Sequence, residues 1–407
     1  MTFAIVNPKP AEKIGLKRFA VFTALMTFVL VWMGGLVTSK GVGLSVPDWP
    51  NSYGYNMFFF PVSKWMGGIF YEHTHRLAAS TVGFLTLVLA HWLFGYKSRP
   101  ALRWGGGLFI LTGTGLMPKF PTYGIESISV GVLALFVSFF WPKCAPAPKW
   151  LRVLGIVALI AVIAQGVLGG LRVTLLAAAL GIFHATLAQL FFLLVSAIAL
   201  FQMDFWRRLP VHTEADRHHL RLFFLLPTCL IFAQLAVGAT MRHQHAGLSI
   251  PDFPAAYGQW WPDTSPAAVQ RYNENRMEAV SYNPITAFQI DLQMAHRLMA
   301  LVIFVAVGVC AGRAGHFLGF RHPLTRLACL WLGLILTQVF LGAATIWTGK
   351  SADVATAHVA CGALCLVTGG LSSIVSFRML GSPVAQGVAE KKELTSLLPS
   401  SSITGGL

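Results

Sequence analysis

Eight stretches of this chain stay apolar for about twenty residues each, at roughly 19–38, 70–95, 152–170, 180–202, 221–241, 288–311, 327–347 and 354–378. Each is long enough to cross a hydrocarbon core of about 30 Å. A backbone in lipid must satisfy its own hydrogen bonds, so such a run folds as a helix. The region 96–150 is weaker: Trp104–Met117 is short and Gly-rich, and Ile125–Trp141 is near the lower length limit. Either both cross or they form a re-entrant or interfacial hairpin. The expectation is an all-α, polytopic membrane protein of ten spans, with eight as the fallback.

Composition closes off the other classes. Hydrophobic residues make up 55% of the 407 and charged residues only 11%, against about 25% charged in a soluble domain. That excludes a soluble enzyme, a disordered chain and a secreted disulfide scaffold. The net charge of +15 is also an electrostatic footprint for nucleic acid, but the basic residues sit in short loops between apolar segments. There they set topology instead, so no nucleic-acid partner is expected. Met1 to Arg18 is polar and basic and leads into a full-length span, unlike a cleavable signal peptide.

With the N-terminus inside and an even number of crossings through 96–150, twenty Lys and Arg residues fall inside and eight outside. The bias predicts both termini inside, as in a bacterial-type cytoplasmic membrane. Two outside loops are long, about 40–69 and 242–287. The expected organisation is a cytoplasmic segment at 1–18, a first four-helix half at 19–202 carrying an inserted hairpin at 96–150, an inside linker at 203–220, a second half at 221–378, and a disordered tail at 379–407.

The two halves repeat. Gly43-Leu-Ser-Val-Pro-Asp-Trp-Pro-Asn-Ser-Tyr-Gly54 and Gly247-Leu-Ser-Ile-Pro-Asp-Phe-Pro-Ala-Ala-Tyr-Gly258 agree at eight of twelve positions. His75-Arg76-Leu77 returns as His296-Arg297-Leu298, and Gln165 with His184 returns as Gln338 with His358. Both copies begin inside, so the repeat is parallel, about an axis along the membrane normal.

Of thirteen histidines, those at 212, 218, 219, 316 and 322 fall in inside loops. His243 and His245 have no counterpart in the first copy, and His91 none in the second. His73 projects about 200° away from His75 on a helix. His75, His184, His296 and His358 remain, each inside an apolar helix and each matched in the other copy. One membrane histidine is readily a packing residue, but ionisable groups in spans are costly and point to function. Four at equal depth point to two pairs.

Two imidazoles per bundle suit a planar iron porphyrin, which brings its own apolar surface and sits between facing helices. Zinc would want three or four ligands, and no cysteine lies close enough in the pattern. Two haem sites near the outside face are expected. Arg76 and Arg297, beside two of the ligand candidates, suit haem propionates, although snorkelling also explains them. Glu72 stands three residues before His75, on the same helix face, where the second copy has Gln293. A carboxylate can take protons or stabilise positive charge, so the asymmetry suggests chemistry in the first half and electron transfer in the second. A carboxylate merely paired with an arginine is the plainer alternative.

These residues together resemble the haem A synthase family, over about 16–378 apart from the insertion. The resemblance rests on the duplicated four-helix plan, the four helix histidines, Glu72-x-x-His75-Arg76 and the twin Gly-Leu-Ser-x-Pro-Asp loops. It implies oxidation of a methyl group of haem O to a formyl group. His75 and His184 would bracket the substrate haem with Glu72 at the reacting centre, while His296 and His358 would hold a haem b that relays electrons. Haem O synthase, cytochrome oxidase assembly factors and an unidentified electron donor would be the partners, with the lipid bilayer as surroundings. Some members carry a cysteine pair in the first outside loop; none stands between Lys40 and Gly68 here, and no structural disulfide is expected. A two-haem, quinol-linked electron-transfer cytochrome is the competing class, but it would need haems at both membrane depths. A transporter would need broken helices around the histidines.

Overall fold

The computed structural model describes residues 10–209, 219–275 and 284–380, with side chains from residue 14. Half of the linker expected at 203–220 and nearly all of the tail after 378 lie outside them. Among the described residues the elements are helices, and β-pairing is confined to two isolated bridges, Ser52 with Tyr55 and Ala256 with Gln259. This is an all-α polytopic membrane protein. Among the described residues nine stretches are long and apolar enough to cross a membrane, and one of them, Gly67–Leu116, runs for 50 residues. At 1.5 Å per residue that is more than twice a hydrocarbon core. It divides at Gly95, giving α2 (Gly67–Phe94) and α3 (Ser98–Leu116).

Unit 1 comprises residues up to 203 together with 351–360, and unit 2 comprises 204–350 with the residues from 361 onward. In unit 1, α1 (Pro10–Ser39), α2, α5 (Lys149–Thr174) and α6 (Ala178–Gln202) pack in a closed ring, each against the next. The core of that ring is Ala20, Val82, Leu89, Leu93, Leu151, Ala158, Phe191, Val195, Ile198 and Ala199. All of these lie toward the end of the bundle away from the long loop.

The inserted hairpin is α3 with α4 (Pro121–Phe140), which pack mainly on one another. Lipid offers no hydrophobic drive for such a pair, so small residues must let the backbones close up. A Cβ on Gly106 would lie 2.8 Å from the Gly131 carbonyl oxygen, and one on Gly113 2.7 Å from that of Gly124. Both helices are longer than their apolar windows. The first turn of α3 takes in Arg99, which donates to the Trp141 carbonyl at 2.5 Å, while Arg103 lies over the Phe139 ring. A hydropathy window stops at such residues, whereas the helix continues because their long stems can snorkel.

In unit 2, α10 (Ala287–Leu318) packs against α8 (Leu220–His243) and α11 (Pro323–Trp347). The part of α12 (Ala352–Met379) that belongs to this unit lies against α8 and α11. Trp331 is fully buried and donates its indole N–H to the Cys365 carbonyl at 2.9 Å, and Thr228 meets Ser373 at 3.3 Å. A buried indole needs such a partner. The short helices α7 (Asp204–Arg208) and α9 (Pro266–Glu274) complete this unit. All six cysteines are free thiols.

Candidate functional site

The twin loops take the same shape in each unit. Asp48 accepts hydrogen bonds from the backbone N–H groups of Tyr53 and Gly54, both at 2.7 Å, and Asp252 accepts from Tyr257 and Gly258 at 2.7 and 2.8 Å. The tyrosine and glycine are consecutive left-handed residues, with φ of 51° and 77° in one loop and 54° and 75° in the other. The carboxylate satisfies the two N–H groups that this turn aims inward. Each tyrosine hydroxyl then donates back, Tyr53 to the Ser45 carbonyl and Tyr257 to that of Ser249. The shared Ser-x-Pro-Asp and Tyr-Gly are therefore one turn, built twice.

Each loop is latched to a histidine-bearing helix. Arg76 donates to the carbonyls of Asp48, Asn51 and Val46 at 2.6, 3.1 and 2.7 Å and pairs with Glu72 at 2.8 Å. Arg297 donates to the carbonyls of Ala255 and Asp252 at 2.8 and 2.7 Å. Glu72 is buried, and its second oxygen accepts from the Val46 N–H at 2.9 Å. In unit 2 the Gln293 side-chain oxygen accepts from the matching Ile250 N–H at 2.7 Å, while its amide donates to the Ile250 carbonyl at 3.3 Å. Glutamate and glutamine thus fill one structural position, and the arginines spend their donors on loop carbonyls.

Below the latch, unit 1 brings His75 and His184 within electrostatic range of one another. Their environment differs from the core beyond. Residues 74–80 of α2 and 184–188 of α6 are partly accessible on every face, whereas Val82, Leu89, Val195 and Ile198 farther along are fully buried. Glycines stand beside both imidazoles: a Cβ on Gly34 of α1 would lie 3.1 Å from the His75 ring, and one on Gly169 of α5 would lie 3.2 Å from the His184 ring. Among the described residues the buried Nδ1 of His75 has no hydrogen-bond partner. Gln165 donates to the His184 carbonyl at 3.0 Å. Trp49, from the loop, lies against Gly170.

Unit 2 repeats the wall around His296. Gly238 of α8, which corresponds to Gly34, would place a Cβ 3.4 Å from the His296 ring, and Gln234 donates to the His296 carbonyl at 2.8 Å. His296 and Arg297 are again partly accessible, and Ile303, Val307 and Cys310 beyond them are buried. His358 lies in the first turns of α12, which belong to unit 1, between Thr356 and the Val359 that packs on Gly35. Among the described residues no three His, Cys, Asp or Glu side chains converge as a metal-ligand cluster. In unit 1 the two imidazoles stand on separate helices, each with a glycine beside its ring, a donor set that suits a planar group better than a compact ion.

A family model described as "Cytochrome oxidase assembly protein" matches residues 126–369, more than half of the chain. The chain belongs to the COX15-CtaA family. Similar proteins agree. "Heme A synthase" of Rhizorhabdus wittichii is 24% identical over 371 residues, covering 89% of this chain and 93% of the relative. "Heme A synthase" of Shewanella oneidensis is 21% identical over 348 residues, covering 85% and 92%. That of Shouchella clausii is 22% identical over 330 residues, covering 79% and 90%.

Several side chains of this COX15-CtaA member escape a residue-type search. Gly169 and Gly342, four residues after Gln165 and Gln338, lie inside α5 and α11. Lipid and neighbouring helices replace the water that would fray a glycine in a soluble helix. The spacing of Gly34 and Gly238 from their loops is the same, which is the signal that marks them. His73 is fully buried beneath the loop, meeting the Ser52 hydroxyl at 3.1 Å and packed against Phe60 and Trp65. His91 meets the edge of Trp141. Trp260 and Trp261 are exposed, as aromatic side chains that anchor at the headgroup level are.

Proposed function

We propose that the protein is a haem A synthase that oxidises a methyl group of haem O to a formyl group and serves cytochrome oxidase assembly. The observation that carries this reading is the change of packing at the level of the histidines. A solid apolar core stops there, and the helices beyond it present imidazoles, glycines and partly accessible faces. In this reading His75 and His184 bracket the substrate haem, and His296 with His358 hold a haem b. When bound, that haem b supplies electron transfer, and the macrocycle carries the hard step while the protein sets ligands and surroundings.

The chain's own residues do the rest. Glycines 34, 169 and 238 keep methyl-sized bulk away from the imidazoles. The loop, latched through Arg76 and Arg297, covers one end of each site, and Trp49 on Gly170 helps to exclude water. Glu72 holds a negative charge at the latch in unit 1 alone, where it takes protons or stabilises positive charge developing on the substrate. The haem sites lie toward the outer face, with both termini inside.

The test is expression in cells that make haem O, followed by pigment extraction. Haem A should appear with the wild-type chain. Its absence, with haem still bound to the purified protein, would favour a plain electron carrier.

A further inference from the structure

Both arginines beside the histidines are committed to loop carbonyls, so neither presents a free fork to a carboxylate. A different cation stands over the first glycine of the loop motif in each unit. Arg172, in the last turn of α5, lies over Gly43, the residue that opens the first loop motif: a Cβ there would come within 2.8 and 3.0 Å of its two terminal nitrogens. The guanidinium is in electrostatic range of both His75 and Glu72. Among the described residues it makes no hydrogen bond or ion pair closer than that range. In unit 2, Lys350 runs over Gly247, the matching glycine, with its methylenes 3.8 Å from where a Cβ would stand. Burial lowers the Lys350 ammonium pKa, and the nearby charge of Arg242 lowers it further.

These two cations do not correspond in the repeat, since Arg172 aligns with Thr345 and Lys350 lies beyond the helix. Two unrelated sequence positions deliver positive charge to the same point above the latch. A partly buried cation that makes no hydrogen bond is costly. In unit 2 a second cation, Arg242, lies in electrostatic range of Lys350.

We infer that Arg172 in unit 1 and Lys350 in unit 2 bind carboxylate groups, each receiving a porphyrin propionate at the loop end of its site. This rests on the haem reading above. It moves propionate binding from Arg76 and Arg297 to side chains that no repeat alignment singles out. Both serve as positioning residues: they fix how the ring lies between its histidines and take no part in the oxidation.

The test uses the full-length protein in detergent, its haem exchanged for iron protoporphyrin IX or for the dimethyl ester, which lacks the two charges. Affinity and stoichiometry are read from the low-spin Soret band. The free acid should bind the wild type about tenfold more tightly than the diester, the scale of one charge-assisted hydrogen bond. Arg172→Gln should erase that preference at one site and Lys350→Gln at the other, while Arg172→Lys and Lys350→Arg retain most of it. Gly43→Ala, which keeps the charge but crowds the guanidinium, should weaken the preference in unit 1 alone. A preference that survives both glutamine variants would overturn the assignment and leave these cations to lipid headgroups. Failure of the wild type to bind either porphyrin would instead bring down the haem reading.

Discussion

Units 1 and 2 latch the same turn to the same kind of helix, yet one does it with a carboxylate and the other with an amide. The hydrogen bond to the loop N–H is kept, from Val46 to Glu72 and from Ile250 to Gln293. What changes is the second oxygen: Glu72 pairs with Arg76, while the Gln293 amide donates to the loop itself. The loop does not require a charge there, because unit 2 manages without one. The glutamate of unit 1 therefore has a purpose beyond holding the loop, or it is a variation that the latch tolerates. The largest predicted effects separate those alternatives.

The sharpest separation is Glu72→Gln. Unit 2 demonstrates that glutamine fits this position, so folding and bound haem b should persist while haem A formation falls by about 10²–10⁴-fold, the usual worth of one acid–base group. Pigment extraction and the haem spectrum of the same preparation measure both quantities. Full activity would reduce Glu72 to a latch residue. The companion variant is His296→Ala, which should abolish the low-spin b-type spectrum in oxidised and reduced protein. A spectrum that survived would mean a different ligand set in the second half.

The long apolar runs and the likeness of the two outside loops were legible in the sequence, because lipid permits one backbone solution and because duplication marks what both halves need. The meaning of the twin motifs was not. Pro-Asp and Tyr-Gly marked the repeat and the resemblance, but not that Asp48 and Asp252 build a turn and that Arg76 and Arg297 hold it. Such hydrogen bonds end on backbone carbonyls, which no residue type announces. Arg172 and Lys350 stayed hidden for the opposite reason: they reach one place from positions that do not align.

The latch arginines give the next, smaller contrast. Arg297→Ala removes two hydrogen bonds to carbonyls, costing about 1.5–3 kcal/mol for each charged bond lost, with some recovered through water. Arg76→Ala removes three such bonds and also strands buried Glu72 without its cation, a loss of about 3–5 kcal/mol by itself. Thermal unfolding in detergent should therefore show a clearly larger fall in Tm for Arg76→Ala. Equal shifts would mean that the Glu72–Arg76 pair adds nothing to holding the loop. The double variant Arg76→Ala with Glu72→Gln should recover part of the loss, because the stranded charge has gone.

The smallest effect is expected where the units differ most in sequence, at the hairpin that only unit 1 carries. Gly106→Leu would drive a side chain into the Gly131 carbonyl and Leu135 of α4, forcing the two helices apart at a cost of about 1–3 kcal/mol, the usual range for overpacking. The hairpin packs chiefly on itself, and it touches the loop region through one bond, from the Asn56 amide to Glu126 at 2.6 Å. That strain has little route to His75 or His184, so haem content should be unchanged and haem A formation should fall by less than about twofold. Asn56→Ala cuts the single bond without strain and should do no more. A large loss of activity from Gly106→Leu, with Asn56→Ala silent, would show that the α3–α4 surface itself takes part, and the functional difference between the units would then no longer come down to Glu72.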